Sequence, residues 1–374
     1  MFFVNGFMFS NWLPRIPEVR DRLGVGNGGL GAALIGGGIG GLCASLLASR
    51  VFHRFNSGRV VVTSAIVLAG LLPAVSVVPT PLALLLLLSI LGFLDVFTDI
   101  AMNTQGVIVQ ERIGRSIMHR LHAGWSLGFT SGAIAGWLAS AAKLGMGPHL
   151  AMVAGVGVAT VLLSRPWLTT PDPEFVRTKA QAGVDRRRTR FVISKTVLAT
   201  SVMAIGIAFL EASPNDWSAL TLHDEFHAQR WQGIGGVVFA GSMLAGRLTG
   251  DHVLERVGVR RLIDLALGLS IAGASLVVVA PSLPVAVAGF GVWGLGVSVM
   301  FPQLYAMAAV LPGTSAGAGL GAMAIGQRSG FLLAPVLIGT IADWKDLRVS
   351  FAVVALAAAA FVVVSRRFVA PSTP

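Results

Sequence analysis

Charge is what this chain has least of. Asp, Glu, Lys and Arg make up 12% of its 374 residues, about half the share of a soluble domain. Mean hydropathy is correspondingly high at +0.77, so lipid rather than water is the main solvent of the fold. Cysteine is almost absent. Cys43 stands alone inside an apolar run, which excludes an intrachain disulfide and a thiolate metal cluster. There is no Gly-x-x-x-x-Gly-Lys-Ser/Thr run to cradle a nucleotide, and no His-Glu-x-x-His or paired-cysteine motif to hold a metal. ATP is therefore not the expected energy source, and no cofactor, metal or catalytic residue is expected. The start has neither a basic segment nor a small-residue cleavage site, so no cleavable signal peptide is evident.

What the chain has in quantity is apolar length. A spanning helix takes about 20 apolar residues. Such segments lie at about 2–13, 28–49, 60–78, 82–109, 121–142, 150–164, 194–222, 231–250, 262–280, 285–310, 316–341 and 349–364. The first, at roughly 12 residues and 1.5 Å per residue, is short of a 30 Å core, so a truncated helix or a missing upstream stretch is expected. The 46 glycines suit close helix packing in a membrane rather than loops. Connections are short and marked by proline or charge, as at Pro79-Thr80-Pro81 and Pro281-Ser282-Leu283-Pro284. The exception is the polar, basic stretch 165–193, with Arg186-Arg187-Arg188-Thr189-Arg190. It divides the spans into a bundle at 1–164 and a bundle at 194–374.

The net charge of +11 is explained by topology rather than by nucleic acid. Loops at 50–59, 111–120, 165–195 and 251–261, with the tail, hold 19 Lys and Arg against 7 in the opposite loops, where Arg15, Arg20, Arg22, Lys143, Arg230, Lys345 and Arg348 lie. The positive-inside rule makes the first set cytoplasmic, with both termini, in a bacterial inner membrane. The cluster at 186–190 either sets topology or also touches anionic lipid.

An internal repeat follows. Arg54-Phe55-Asn56-Ser57-Gly58-Arg59 lies 202 residues before Arg256-Val257-Gly258-Val259-Arg260-Arg261, each after the second span of its half. Asn56 stands where Gly258 does, a swap that keeps left-handed backbone accessible. Asn11-Trp12 closes the first span and Asp216-Trp217 lies near the end of the seventh. Duplicated six-helix halves are a transporter design.

On these residues the chain resembles the major facilitator superfamily. Asp251-His252-Val253-Leu254-Glu255-Arg256-Val257-Gly258-Val259-Arg260-Arg261 is similar to the superfamily signature between the second and third helices of each half. Glu255, Arg256, Gly258 and Arg260 fill its acid, base, glycine and base positions. Asp251 departs from its first glycine, and the first-half copy has His53 where the acid belongs, so the usual charge lock is not expected there. The resemblance implies an all-α membrane fold of twelve helices in two pseudo-symmetric six-helix bundles, and no enzyme activity. Asp99-Ile100-Ala101-Met102-Asn103 further resembles the proton-coupling element of the fucose-permease-like branch, and Glu211-Ala212-Ser213-Pro214-Asn215-Asp216-Trp217-Ser218-Ala219 is similar to a run in bacterial permeases of that group. A monomer moving a small polar solute, such as a sugar, with protons is the implied reading. A proton-linked exporter of drugs or metabolites, or a sensor that no longer transports, is the alternative; the exporter's Gly-Pro signature is missing from the fifth span.

The residues themselves carry part of this. Asp95, Asp99 and Asn103 are spaced i, i+4, i+8 and share a helix face. A carboxylate in mid-membrane must be paired or protonated, so Asp99 and Asp95 either couple protons or pair with a base on another helix. His122, Trp125 and Ser126 open the fifth span; Trp125 and Ser126, with Asn103, are candidate solute contacts, and His122 suits a proton relay or a helix-end position. Gly124, Gly128, Gly132 and Gly136 recur every four residues and are expected to make a packing seam. In the seventh span Pro214 frees carbonyls, tolerable only beside a cavity or protein. Glu211 is a further coupling candidate, Asp216 a solute contact, and Trp217 either a flat face for a solute or an interfacial anchor. Arg247 is expected to be structural, together with Arg54 and Arg59 of the repeated motif. Gln303, Gln327 and Arg328 are candidate solute contacts within spans ten and eleven; Arg328 needs a cavity or a carboxylate.

A Gln181→Cys variant made in a Cys43→Ser background tests the orientation. The 19-to-7 bias predicts that an impermeant maleimide added outside intact cells leaves position 181 unlabelled. Efficient labelling would reverse the topology.

Overall fold

A computed structural model describes residues 1–115, 117–168, 194–311 and 316–369. The described elements are helical throughout. In chain order they are α1 (Phe2–Ser10), α2 (Ile16–Leu23), α3 (Asn27–Arg54), α4 (Ser57–Leu71), α5 (Pro81–Ile113), α6 (Met118–Ala141), α7 (Met146–Ser164), α8 (Lys195–Phe226), α9 (Ile234–Val279), α10 (Leu283–Val297), α11 (Met300–Ala309), α12 (Ala316–Trp344) and α13 (Leu347–Val369). With short α2 outside the count, α9 read as two spans and α10–α11 as one, these make the twelve expected. From residue 169 to 193 the expected connecting loop, with its basic run at 186–190, lies outside the described residues.

The helix ends follow local chemistry. Thr80 caps α5 by accepting from the Ala83 N–H at 3.1 Å, with Pro81 in the first turn, the position where proline loses nothing. Gly114 closes the same helix in a left-handed conformation, φ 63°. Inside α9, Gly258 has φ 77° and ψ 163°, a backbone region open essentially to glycine alone, and there the two spans part. Asn56 does not match it. Its φ of −75° and ψ of 153° are extended, and its side chain caps α4 by accepting from the Arg59 N–H at 2.9 Å. The expected left-handed asparagine is thus an N-cap, a role asparagine fills equally well.

The chain falls into two compact units, Met1–Arg15 with Gly36–Arg190, and Ile16–Ile35 with Phe191–Pro374. In the first, α1 lies along α6 in a glycine seam. A Cβ at Gly128, Gly132 or Gly136 would overlap the backbone carbonyls of Phe3, Phe7 and Asn11 respectively. Gly124, expected in the same seam, has open space where its Cβ would be. Below the seam, buried Arg15 donates to the Leu144 carbonyl at 2.7 Å and lies 3.2 Å from His149 Nδ1, while His149 Nε2 is 3.1 Å from Asn11 Oδ1. An arginine only donates and cannot be deprotonated in a protein, so Nδ1 accepts and the ring proton sits on Nε2, facing Asn11.

In the second unit, residues 16–35 are tied down twice. Arg20 makes a two-point pair with Asp224, whose second contact is 2.9 Å, and Nη1 also donates to Asn27 Oδ1 at 3.1 Å. Burial works against the Arg20 charge, and the bonds to Asp224 and Asp21 outweigh it, holding the guanidinium above its ordinary pKa. Asp343 accepts from the Gly28 N–H at 2.9 Å, in the first turn of α3, where free N–H groups favour a carboxylate. The core is aromatic: Trp293, Phe290 and Phe351 are fully buried and meet edge to face, with centroids 5.5 and 6.0 Å from Phe351. Around Pro214, α8 stays continuous; Ser213 donates to the Phe209 carbonyl and Asn215 to the Glu211 carbonyl at 2.8 Å.

The seam gives a paired test. Gly128→Leu inserts a side chain where Phe3 backbone already is and should abolish folded, membrane-inserted protein by size-exclusion profile. Gly124→Ala, facing open space, should retain it.

Candidate functional site

The first-unit site is built on α5, with α1 and α6 beside it. The expected shared face of Asp95, Asp99 and Asn103 is present, but the two acids have different partners. Asp99 Oδ1 accepts from Asn103 Nδ2 at 3.0 Å, one turn along the same helix. Half-buried Asp95 accepts from Asn5 Nδ2 at 3.0 Å, and Asn5 Oδ1 in turn accepts from Trp125 Nε1 at 2.8 Å. Trp125 stacks on Phe129 with centroids 5.3 Å apart. Ser126 is buried. His122 sits edge-on to Phe2 at 5.4 Å. The run Gly124-Trp125-Ser126-Leu127-Gly128 has the spacing of a hydrolase elbow, which needs a strand-to-helix turn; here it lies inside continuous helix.

In the second unit, Glu211 on α8 faces Arg247 on α9 at 3.7 Å, and Arg247 Nε donates to the Ser298 carbonyl at 3.4 Å. The other Glu211 oxygen is buried without a hydrogen bond among the described residues. Asp216 is half-buried, with no ion pair or side-chain hydrogen bond among the described residues. Trp217 corrects an expectation. It is fully buried, its indole N–H without a hydrogen bond among the described residues and its ring against Gly339, so it is core and offers neither a face to a solute nor an interfacial anchor. Gln303 is buried on α11. Gln327 on α12 accepts from Tyr305 Oη at 3.0 Å, and half-buried Arg328 follows it.

The signature loops are more open than the family pattern suggests. Asp251, Glu255, Arg256 and Arg260 flank Gly258 on the surface, and no ion pair joins them among the described residues. Arg54 is exposed over the Phe55 ring at 5.7 Å, and Arg59 is exposed in the first turn of α4. Sequence reasoning missed Asn5, Arg15, His149, Arg20 and Asp224. For Asn5 a signal existed: an amide amid the apolar residues of the first span.

The Glu211–Arg247 pair can be probed by stability. Arg247→Met leaves a mostly buried carboxylate without its cation and should lower unfolding free energy by about 3 kcal/mol. Adding Glu211→Gln should recover most of that loss in the same thermal-unfolding assay, because the stranded charge is gone.

Comparison with known proteins places this arrangement. No family model matches the chain. It is 30% identical over 365 residues to an uncharacterized MFS-type transporter of Yersinia pestis, covering 95% of this chain and 90% of that one. It is 26% identical to the uncharacterized transporter y4wD of Sinorhizobium fredii (96% and 93% covered) and 27% identical to the membrane protein MosC of Rhizobium meliloti (91% and 82%). Its fold matches the nucleoside transporter NupG at a TM-score of 0.74 with 16% identity (98% and 96% covered). It matches a bacterial homologue of the human lysosomal transporter Spinster at 0.79 with 14% identity (98% and 95%). With twelve helices in the same fold and a relative at 30% identity along nearly the whole chain, this protein belongs to the major facilitator superfamily and is a multi-pass membrane transporter, not an enzyme.

Proposed function

We propose that the protein is a proton-coupled symporter of a small polar solute in the inner membrane, working as a monomer by alternating access, with Asp99 as the proton carrier and Asp95 beside it. The observation that carries this reading is the nature of the donors. Asp95 accepts a hydrogen bond from the Asn5 amide and Asp99 one from the Asn103 amide. An acid paired to arginine resists protonation, because the proton strands the guanidinium. A neutral amide sets no such penalty: its nitrogen donates to the ionised carboxyl, and a proton taken up by the acid strands no charge on the amide. Protonating either carboxyl strands no charge on these amides, and the two acids sit one turn apart on one face of α5.

Polar side chains suited to hydroxyl groups support the solute assignment: Asn103 and Ser126 in one unit, and Asp216, Gln303, Gln327 and Arg328 in the other. The fucose-permease-like resemblance around Asp99 favours a sugar; a nucleoside is the second class, on the fold shared with NupG. Cytoplasmic termini follow from the Lys and Arg bias.

Proteoliposomes loaded with L-fucose or uridine test the carrier. Asp99→Asn imitates the protonated form and should keep exchange between equal pools of the transported probe, while losing accumulation driven by a pH gradient. Asp95→Asn should be milder. Accumulation by Asp99→Asn against a concentration gradient under proton-motive force would remove Asp99 from this role.

A further inference from the structure

The geometry points to Asn5 as the positioning residue for Asp95, held in one orientation by Trp125. The inference rests on the coupling reading above for its consequence, but on separate observations for its geometry. Amide oxygen and nitrogen are often interchangeable in a structure. Here they are not. The indole N–H of Trp125 can only donate, and it lies 2.8 Å from the Asn5 amide. The oxygen of that amide must therefore face the indole, which leaves the nitrogen facing Asp95 Oδ1 at 3.0 Å. A chain of hydrogen bonds runs in one sense, from Trp125 through Asn5 to Asp95, joining α6, α1 and α5.

The chain is built to hold. Asn5 is 6% exposed, so water offers its amide little alternative partnership, and turning the amide over would set an N–H against an N–H. Trp125 is pinned by its stack on Phe129. The backbone beneath is drawn close because Gly6 of α1 lies against the Trp125 carbonyl and Gly128 of α6 against that of Phe3. A one-way amide presents a donor to Asp95 and withholds its oxygen. It supports the ionised carboxyl directly and gives the protonated one no acceptor, so the resting preference of Asp95 depends on a tryptophan that never touches it. Trp125 was expected to contact solute; its N–H is instead committed to Asn5.

The first arm of the test needs no solute. Protein carrying 15N-indole tryptophan is placed in lipid nanodiscs, and the Trp125 signal, one of eight tryptophans, is identified by its disappearance in Trp125→Phe. Its indole proton shift should follow a single titration with pH. That titration should vanish in Asp95→Asn, which keeps the size of the side chain, and in Asn5→Ala, and persist in Asp99→Asn. Trp125→Phe should also move the midpoint of pH-driven accumulation by at least half a pH unit. A Trp125 signal indifferent to pH, or one still titrating in Asp95→Asn, would overturn the inference. Failure of the coupling reading shows elsewhere: the indole would titrate as described while no probe moved with protons.

Discussion

Inside a bilayer a polar group has no water to fall back on, and the pairing of intramembrane side chains answers to that constraint, with the second Glu211 oxygen and the Trp217 indole N–H left without a hydrogen bond among the described residues. A hydrogen bond unmade in hydrocarbon costs several kcal/mol, so helices form throughout and each polar side chain within a span needs a partner from its own helix or a neighbour. The partners found are of two kinds. Arg20–Asp224, Arg348–Glu225 and Arg247–Glu211 join opposite charges; Asn5–Asp95 and Asn103–Asp99 join an amide to an acid. A proton on an acid of the first kind strands a cation, and one on an acid of the second kind strands no charge on the amide. The amide contacts of Asp95 and Asp99 are of the second kind.

Close packing makes the amide contacts available. Asn5 reaches both Asp95 and Trp125 because α1 approaches α6 over glycines, with no side chains between the backbones. The same helix carries Asn11 to His149, and the chain continues through Arg15 to the Leu144 carbonyl. A short first helix thereby organises the polar interior of its unit while burying Phe2, Val4 and Met8.

The spans were legible because a twenty-residue apolar run has few other uses, and Gly258 because the positive φ it adopts is nearly unique to glycine. Asn56 misled because one residue type serves both left-handed turns and helix caps, and only the backbone decides between them. Period-four glycines announced the seam, but what lies opposite each glycine is not written nearby: Gly128 meets Phe3, while Gly124 meets nothing within reach. Asp95, Asp99 and Asn103 could be placed on one face from spacing alone. Their partners could not, since Asn5 is 90 residues from Asp95 and 120 from Trp125, and Arg15 is 134 from His149. Trp217 was misread for a related reason: a tryptophan in a span can face a solute, an interface or the core, and only tertiary packing decides.

The account stands or falls on whether solute and proton move together. The most direct measurement is the pH of a lightly buffered medium around de-energised cells expressing the protein, after addition of L-fucose or uridine. Symport predicts a prompt external alkalinisation with the transported probe, abolished by a protonophore and absent from cells without the protein. Uptake of a probe with no pH change, or an acidification, would contradict it.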